Sequence, residues 1–324
     1  MWTLYPQAMG ETMTDLAADA AVEAILQDEL AREVRAMTAV SPVLRHLLAS
    51  DAQSLVSEAV LARVRGMVFD LAAQLSAAIA GRDPATRLQG KADPETSGPL
   101  AESLLGDEAM LTYLHALAIE SLLAERFQQR HTIDPVLSPL LQELIASDDL
   151  AVASLAMNLL AAQSRFMQSQ RRMELPLGEL PAERFYALIA IAHRFGSGAA
   201  ASAALERLQL SYDEAASRLG LLNRLVAAMR RGVLAALALD HAGLALFSSA
   251  LSHTTRQPRT LMVLACHEGQ GARLALALRA AGLGPSAIER QFMLIEPVAG
   301  MPRALAALSA ERADLLLRAN GAAA

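Results

Sequence analysis

Two stretches of this chain, 97 residues apart, repeat one another. SPVLRHLLASD at Ser41–Asp51 and SPLLQELIASD at Ser138–Asp148 are identical at seven of eleven positions. Without a gap, the match extends back to Ala21 and Ala118, with ten identities in 31 positions. Ser-Pro suits the start of a helix, because serine caps the first turn and proline is tolerated at its first position. We therefore predict a duplicated unit of a long, a short and a long helix.

The composition predicts an all-α fold. Alanine and leucine dominate, aromatic residues make up only 4% of the chain, and no run alternates convincingly between apolar and polar residues. Alanine, leucine, arginine and glutamate lose little freedom in a helix, whereas a strand needs a period of two. A three-helix unit leaves an apolar face uncovered, so the two copies are expected to stack as a HEAT-like solenoid or to close as a bundle.

Breaks in the helical pattern predict the domain organisation. The segment Gly81–Pro99 holds three glycines and three prolines and is typical of a linker, and Pro176 and Pro181 bracket a second connector. A compact multi-helix domain is expected after that connector. The predicted order is a leader at 1–13, a first helical repeat unit at 14–81, a linker at 82–99, a second repeat unit at 100–175, the C-terminal helical domain at 176–319 and a tail at 320–324.

The charge distribution supports a boundary near the second connector. The net charge is −6, but the part up to Leu180 has 13 basic and 24 acidic residues, and the part from Pro181 onward has 15 basic and 10 acidic residues. Opposite charges suit either docking of the two parts on each other or binding of a partner.

Several features predict a cytoplasmic protein without membrane contact. The N-terminal residues have no signal-peptide pattern, and Cys266 is the only cysteine. The most apolar run, Gly232–Leu251, carries Asp240 and His241 at its centre. A charge at the centre of a membrane span costs a few kcal/mol, roughly +2.5 to +3.5. We therefore predict that this run is a buried core helix.

Charges and methionines near the second repeat are predicted to be structural. Asp148-Asp149 and Arg171-Arg172 lie at opposite ends of one predicted helix, where the helix dipole favours their signs. Met157, Met167 and Met173 are predicted to fill the core.

The C-terminal half of the chain resembles a known bacterial family. SDDLAVASLAMNLLAAQSRFMQSQRRMELPLGELPAERF, GQGARLALALRAAGL and IERQFMLIEP are similar to sequences of the alphaproteobacterial family called domain of unknown function twenty-three thirty-six. The similarity covers roughly Ser138–Leu308. It implies a helical, sometimes HEAT-like bacterial cytosolic protein, and the family has no catalytic residues to carry over.

Two stretches have patterns associated with function. In the first, Cys266 and His267 precede a Gly-rich turn, which would suit a nucleophile pair or a metal site. Neighbouring helical residues point about 100° apart, however, and no second cysteine provides zinc spacing. A buried cysteine at the end of a helix is the simpler interpretation. We predict no catalytic, cofactor-binding or metal-binding residues and no cofactor.

The second stretch, LSYDEAASRLG at Leu210–Gly220, is similar to the first helix and turn of a helix-turn-helix DNA-binding unit. It would place one helix at 211–219 and the next from Leu221 to Ala238. The nucleic-acid contacts would be Arg218, Arg224, Arg230 and Arg231. Against this alternative, the second helix is largely apolar and the whole chain is acidic.

The combined prediction is a non-enzymatic scaffold or regulatory module that binds another protein or a second copy of itself. A DNA-binding regulator that uses 211–231 is the alternative, and an enzyme or metal site around Cys266–His267 is the third possibility. The sequence names neither the partner, the ligand nor the cellular process.

Overall fold

We describe a computed structural model of the protein, over residues 8–49, 57–84, 94–196, 198–267, 270–295 and 308–321. Within these ranges the backbone forms fourteen α-helices, three short 3-10 helices and no strand. The all-α prediction is therefore confirmed.

The α-helices are α1 (Ala8–Ala49), α2 (Glu58–Ile79), α3 (Pro94–Leu105), α4 (Glu108–His131), α5 (Pro139–Ile145), α6 (Leu150–Arg171), α7 (Ala182–Phe195), α8 (Ala199–Ser211), α9 (Arg218–Met229), α10 (Leu239–Thr255), α11 (Arg259–Ala265), α12 (Gly271–Ala280), α13 (Pro285–Ile295) and α14 (Ala310–Gly321). The 3-10 helices are Leu177–Glu179, Glu214–Ala216 and Arg230–Leu237.

The chain divides into two compact units. Unit 1 consists of Met1–Ala39 and Leu251–Ala324, and unit 2 consists of Val40–Ala250. Unit 1 is therefore built from two separate stretches of sequence, and unit 2 is continuous. This division follows neither the predicted linker at 82–99 nor the predicted boundary at 176, and the predicted domain order stays a prediction.

Helix α2 lies at the centre of unit 2, where it packs against α3, α4, α7 and α8. Five apolar residues recur in the sequence at steps of three and four, which predicts one apolar stripe of a helix: Val60, Val64, Val68, Leu71 and Leu75. All five are buried along α2. Burying a side chain of this size contributes about 1.5–3 kcal/mol relative to leaving it exposed. The sequence periodicity therefore identified this core helix correctly.

Polar side chains of α2 also hold the connector between α6 and α7. The amide of Gln74 donates to the carbonyl of Leu175 at 2.8 Å and accepts from the N–H of Leu177 at 3.0 Å. Asp70 accepts from the N–H of Leu175 at 2.8 Å. The three leucines of the connector predict that it packs on an apolar surface, and all three are buried: Leu175, Leu177 and Leu180. These bonds satisfy backbone groups that the connector would otherwise bury without partners.

In the segment that is predicted to be the second copy, α5 and α6 begin at the expected capping residues. The hydroxyl of Ser138 accepts from the N–H of Leu141 at 3.3 Å and begins α5. Asp149 accepts from the N–H of Ala151 at 2.9 Å and begins α6, which ends at Arg171. Long, short and long helices therefore follow one another in α4, α5 and α6.

The first copy differs from the second. Helix α1 continues through Ser41 and Pro42 to Ala49, so the prediction that Ser41 begins a separate short helix is wrong. A proline inside a helix removes one backbone hydrogen bond. Helix formation is cooperative, so the remaining hydrogen bonds of this 42-residue helix keep it continuous through Pro42. The predicted start of the next helix at Ser50 or Asp51 lies outside the described residues, and the duplication stays a prediction.

Three other helix boundaries depart from expectation. Helix α1 already begins at Ala8, within the predicted leader, and residues 1–7 lie outside the described part. Helix α3 begins at Pro94, within the predicted linker, because proline is tolerated at a first helical position. At the other end, α14 extends to Gly321, and residues 322–324 of the predicted tail are outside the described part.

The run Gly232–Leu251 is not the single core helix predicted. A 3-10 helix covers its start up to Leu237, and α10 begins at Leu239 and is kinked at Gly243. Gly243 has a φ of 69°, and a Cβ there would lie 3.2 Å from the Cβ of Ser138. Both the left-handed backbone and the close approach favour glycine at this position.

Candidate functional site

The structure places the predicted nucleic-acid contact Arg218 in the interior of unit 2. Its side chain is 2% exposed, as is that of Glu120. The guanidinium donates to both carboxylate oxygens of Glu120, at 2.8 and 3.0 Å, and to the amide oxygen of Gln163 at 3.0 Å. It also lies 3.7 Å from the ring centre of Phe166. Arg218 therefore joins α4, α6 and α9, and its charge is turned away from solvent.

The other three predicted arginines lie at the surface. Arg224 donates to the carbonyl of Ala215 at 3.4 Å, and Arg230 and Arg231 follow the end of α9. All three are exposed. The structure therefore separates Arg218 from the other members of the predicted set.

The predicted helix-turn-helix geometry is wrong. Residues 211–219 do not form a helix: α8 ends at Ser211, and a 3-10 helix follows at Glu214–Ala216. Asp213 caps this 3-10 helix, and the hydroxyl of Ser217 caps α9 by accepting from the N–H of Gly220 at 3.1 Å. These local caps divide the segment at positions where the sequence pattern suggested a continuous helix.

The candidate nucleophile Cys266 is buried at the end of α11. The thiol donates to the carbonyl of Met262 at 3.3 Å, and the side chain is 1% exposed. His267 follows it, whereas Glu268 and Gly269 lie outside the described residues. Among the residues described, no group of three or more histidine, cysteine, aspartate or glutamate side chains is arranged to hold a metal ion. The interpretation of Cys266 as a buried cysteine at a helix end is confirmed.

An open groove of about 360 Å³ lies in unit 2 beside the 3-10 helix at Glu214–Ala216. We call it the Tyr212 groove. Tyr212 stacks on Phe185 with ring centres 4.0 Å apart, and its hydroxyl donates to the carbonyl of Leu180 at 2.8 Å. Glu179 and Asp213 line the same groove. The groove thus combines an ordered aromatic pair with two carboxylates.

A second surface of unit 2 is the outward face of α6. We call it the α6 strip and define it by residues that are all exposed, at helical spacing: Leu150, Ser154, Met157, Asn158, Ala161 and Arg165. Leu150 is 82% exposed and Met157 is 52% exposed. The sequence carries no charge between Asp149 and Arg165. The strip is therefore a face that carries no charge before Arg165 and that unit 2 does not cover.

The predicted roles of Met157 and Met173 in the core are wrong. Of the three methionines, Met167 is buried, but Met157 and Met173 are exposed.

One helix in the described part of the chain, α6, is long and apolar enough to cross a membrane. Its most apolar stretch has a mean hydropathy of 1.2, and 33% of that stretch is buried. A helix of a water-soluble protein can meet the same criteria, so the length and composition of α6 do not show that it crosses a membrane.

Unit 1 contains a buried pair of charged residues that the sequence analysis missed. Both carboxylate oxygens of Glu33 in α1 accept backbone N–H groups at the start of α12, from Ala272 at 3.0 Å and from Arg273 at 3.1 Å. Glu33 and Arg273 are both buried. Burial raises the pKa of Glu33 to about 7, although the two N–H groups and the nearby Arg273 charge oppose this shift. A carboxylate thus caps α12 from a distant part of the sequence.

This pKa shift predicts a pH dependence of stability. Folded Glu33 keeps its proton up to about pH 7, whereas the unfolded group loses it near 4.5. Between these values the folded state binds more protons, so the stability from this group is complete below about pH 4.5 and is lost as the pH rises to 7. The loss approaches about 3 kcal/mol. Urea unfolding of the wild type and of Glu33→Gln at pH 5 and pH 8 measures it, because the amide cannot ionise. A pH-independent difference between the two proteins would contradict this assignment.

No family model, curated protein or solved structure matches this chain. The resemblance to the alphaproteobacterial helical family therefore remains a prediction from the sequence.

Proposed function

We propose that this protein is a non-enzymatic interaction module that associates with a second copy of itself through the α6 strip. One observation carries the proposal: the six residues of the strip, spread over 16 positions of α6, are exposed and carry no charge except at the basic end. Exposed surface that includes large apolar side chains and is bordered by charge is typical of association sites. The proposal also keeps the cytoplasmic location predicted from the sequence.

The strip is complementary to itself when two helices run antiparallel. A twofold axis between Met157 and Asn158 places Leu150 opposite Arg165 of the other copy, and Ser154 opposite Ala161. The small side chains at 154 and 161 allow the helix axes to approach to about 8–10 Å. Such a twofold contact uses the same patch on both copies, as an isologous dimer requires.

The ends of the strip carry opposite charges. Asp148 and Asp149 precede α6 and are exposed, and Arg165 is exposed at the far end of the strip. In the antiparallel pair, the methylene groups of Arg165 cover Leu150 of the other copy, and its guanidinium reaches the two aspartates. The antiparallel helix dipoles favour the same arrangement. Charge complementarity therefore supports a second copy as the partner.

The size of the strip predicts a weak, reversible dimer. From Leu150 to Arg165 the strip is about 22 Å long and about 10 Å wide, from the rise and diameter of an α-helix. This area is smaller than the roughly 800 Å² per partner of a standard stable interface. We therefore expect dimerisation at high protein concentration and dissociation on dilution.

Met157→Glu tests the proposal, because it puts a charge at the centre of the strip while remaining in an exposed position. A desolvated unpaired charge costs over 1.4 kcal/mol, so the dimer dissociation constant of the variant should be about tenfold or more higher than that of the wild type. Sedimentation velocity over a range of concentrations measures both constants. Leu315→Glu in α14 is the matched control, because Leu315 is 56% exposed. It should dimerise like the wild type.

A cross-link tests the antiparallel geometry. Asn158→Cys lies beside the proposed twofold axis and should form a disulfide between copies, whereas the native Cys266 is buried. Arg165→Glu should weaken the dimer, and Asp148→Arg combined with it should restore binding. A wild type that stays monomeric at its highest soluble concentration would overturn the proposal. Binding of α6 to lipid vesicles without dimer formation would also overturn it.

A further inference from the structure

The Tyr212 groove is a cavity of unit 2 that is large enough to hold a small ligand. Its volume of about 360 Å³ lies at the small end of the range of ligand pockets, about 300–1,000 Å³. It lies between the connector after α6, the start of α7 and the end of α8. Apolar side chains, including Phe185 and Leu208, form part of its wall. This size suits a ligand comparable to one or two amino-acid side chains.

The charged side chains of the groove are acidic. One oxygen of Glu179 accepts from the backbone N–H of Arg218 at 2.8 Å, and one oxygen of Asp213 accepts from the N–H of Ala215 at 2.9 Å. These bonds fix both side chains, and a carboxylate has further lone pairs to accept from a ligand. Among the described residues that line the groove, none carries a positive charge. The guanidinium of Arg218 is instead held by Glu120 in the interior.

The aromatic pair is held firmly in place at the groove. Phe185 and Tyr212 stack with an angle of 7° between their rings, and the Tyr212 hydroxyl is fixed by its bond to Leu180. Burial raises the pKa of Tyr212 to about 12, and Glu214, Tyr186 and Asp213 add to the shift. The surroundings of the Tyr212 ring are therefore partly desolvated and negative in charge. A cation with an apolar stem satisfies both conditions.

We propose that the Tyr212 groove binds an organic cation, namely an ammonium or guanidinium group on a short apolar stem. Glu179 and Asp213 accept from the cationic head, and Leu208 and the Phe185–Tyr212 pair contact the stem. The cation is either a free amine or a lysine or arginine side chain of a peptide. This proposal does not depend on dimerisation through α6, because it involves different residues and a different measurement.

Isothermal titration of the full chain with agmatine tests the free-amine source. A short peptide with one arginine and blocked ends tests the side-chain source. An alkylurea of the same length as agmatine is the neutral control. We expect agmatine, the peptide or both to bind about tenfold or more tightly than the alkylurea, because hydrogen bonds to charged groups contribute over 1.4 kcal/mol.

Two variants locate the binding in the groove. Gly178 lines the groove, and a Cβ there would meet no atom within 4 Å. Gly178→Phe should therefore fold normally and abolish binding by occupying the groove. Asp213→Asn keeps a cap for the 3-10 helix but removes the charge, so it should weaken cation binding about tenfold.

Thermal unfolding of both variants shows whether they fold like the wild type. Three results would overturn the proposal: no binding of either cation, equal binding of the alkylurea, or unchanged cation binding in a folded Gly178→Phe variant. If the wild type is monomeric and still binds agmatine, the groove proposal stands while the α6 proposal fails.

Discussion

Glu120→Ala is expected to lower the free energy of unfolding of unit 2 by about 3–5 kcal/mol, since it leaves a buried guanidinium without its counter-charge. Arg218 is fully enclosed, and Gln163 and the ring of Phe166 are neutral. Burial lowers the pKa of Arg218, and the Glu120 charge reverses that effect and raises it above its ordinary value. Urea unfolding followed by circular dichroism measures the loss.

Two further variants separate this charge effect from the loss of packing. Glu125 lies in α4, like Glu120, and pairs at 2.9 Å with Arg63 of α2. The Glu125 side chain is 24% exposed, so Glu125→Ala should cost only about 1 kcal/mol. Glu120→Leu combined with Arg218→Met removes both buried charges and should recover most of the stability lost in Glu120→Ala. A loss in Glu120→Ala no larger than in Glu125→Ala would show that the buried pair is not important for stability.

Gly220→Ala is expected to destabilise the protein by about 1–3 kcal/mol, the usual cost of overpacking. A Cβ at this position would lie 2.1 Å from the carbonyl oxygen of Glu214 and 2.9 Å from the Cα of Ala215. The 3-10 backbone cannot easily move away, because the Glu214 carboxylate accepts from the N–H of Ala182 at 3.0 Å. Thermal and urea unfolding measure the change.

The sign of this effect distinguishes packing from helix propensity. Alanine within a helix is normally favoured over glycine by up to about 1 kcal/mol, so propensity alone predicts a gain. Gly232→Ala is the control, because a Cβ at Gly232 would meet no atom within 4 Å. It should leave stability nearly unchanged. A stabilised Gly220→Ala variant would mean that the backbone of the 3-10 helix moves away from the added Cβ at little energetic cost.

Local sequence signals predicted much of unit 2. Apolar residues that recur every three or four positions predicted the buried face of α2. The capping residues Ser138 and Asp149 predicted the starts of α5 and α6. These features depend on residues within a turn or two of each other. The leucines of the connector were also predicted correctly, because an apolar residue next to proline has few other places to lie.

Features that depend on distant residues were not predicted. Ile25 was expected in the apolar stripe of α1 but is 61% exposed, whereas Glu33 is buried because α12 supplies its hydrogen-bond donors. Arg218 was assigned to a nucleic-acid surface because its partner Glu120 lies 98 residues away. A signal was present, since Glu120 and Glu33 occupy positions in line with buried leucines. Only the folded structure shows that Glu120 pairs with the cation of Arg218 and that Glu33 accepts from the N–H groups at the start of α12.

The α6 strip was missed for a related reason. An alanine- and leucine-rich helix of 22 residues predicts burial, and the sequence does not show how many faces its neighbours cover. Met157 was therefore assigned to the core, although it is exposed.

The composition of unit 1 from both ends of the chain has a consequence for synthesis on the ribosome. Residues 40–250 are complete in sequence before any residue after 250 has been made, so unit 2 can fold first. The hydrogen bonds of Glu33 cannot form until α12 has been synthesised. The ion pair between Glu23 and Arg312 cannot form until Arg312, 289 positions later, has been synthesised. A nascent chain stalled before α12 therefore presents α1 without these two partners.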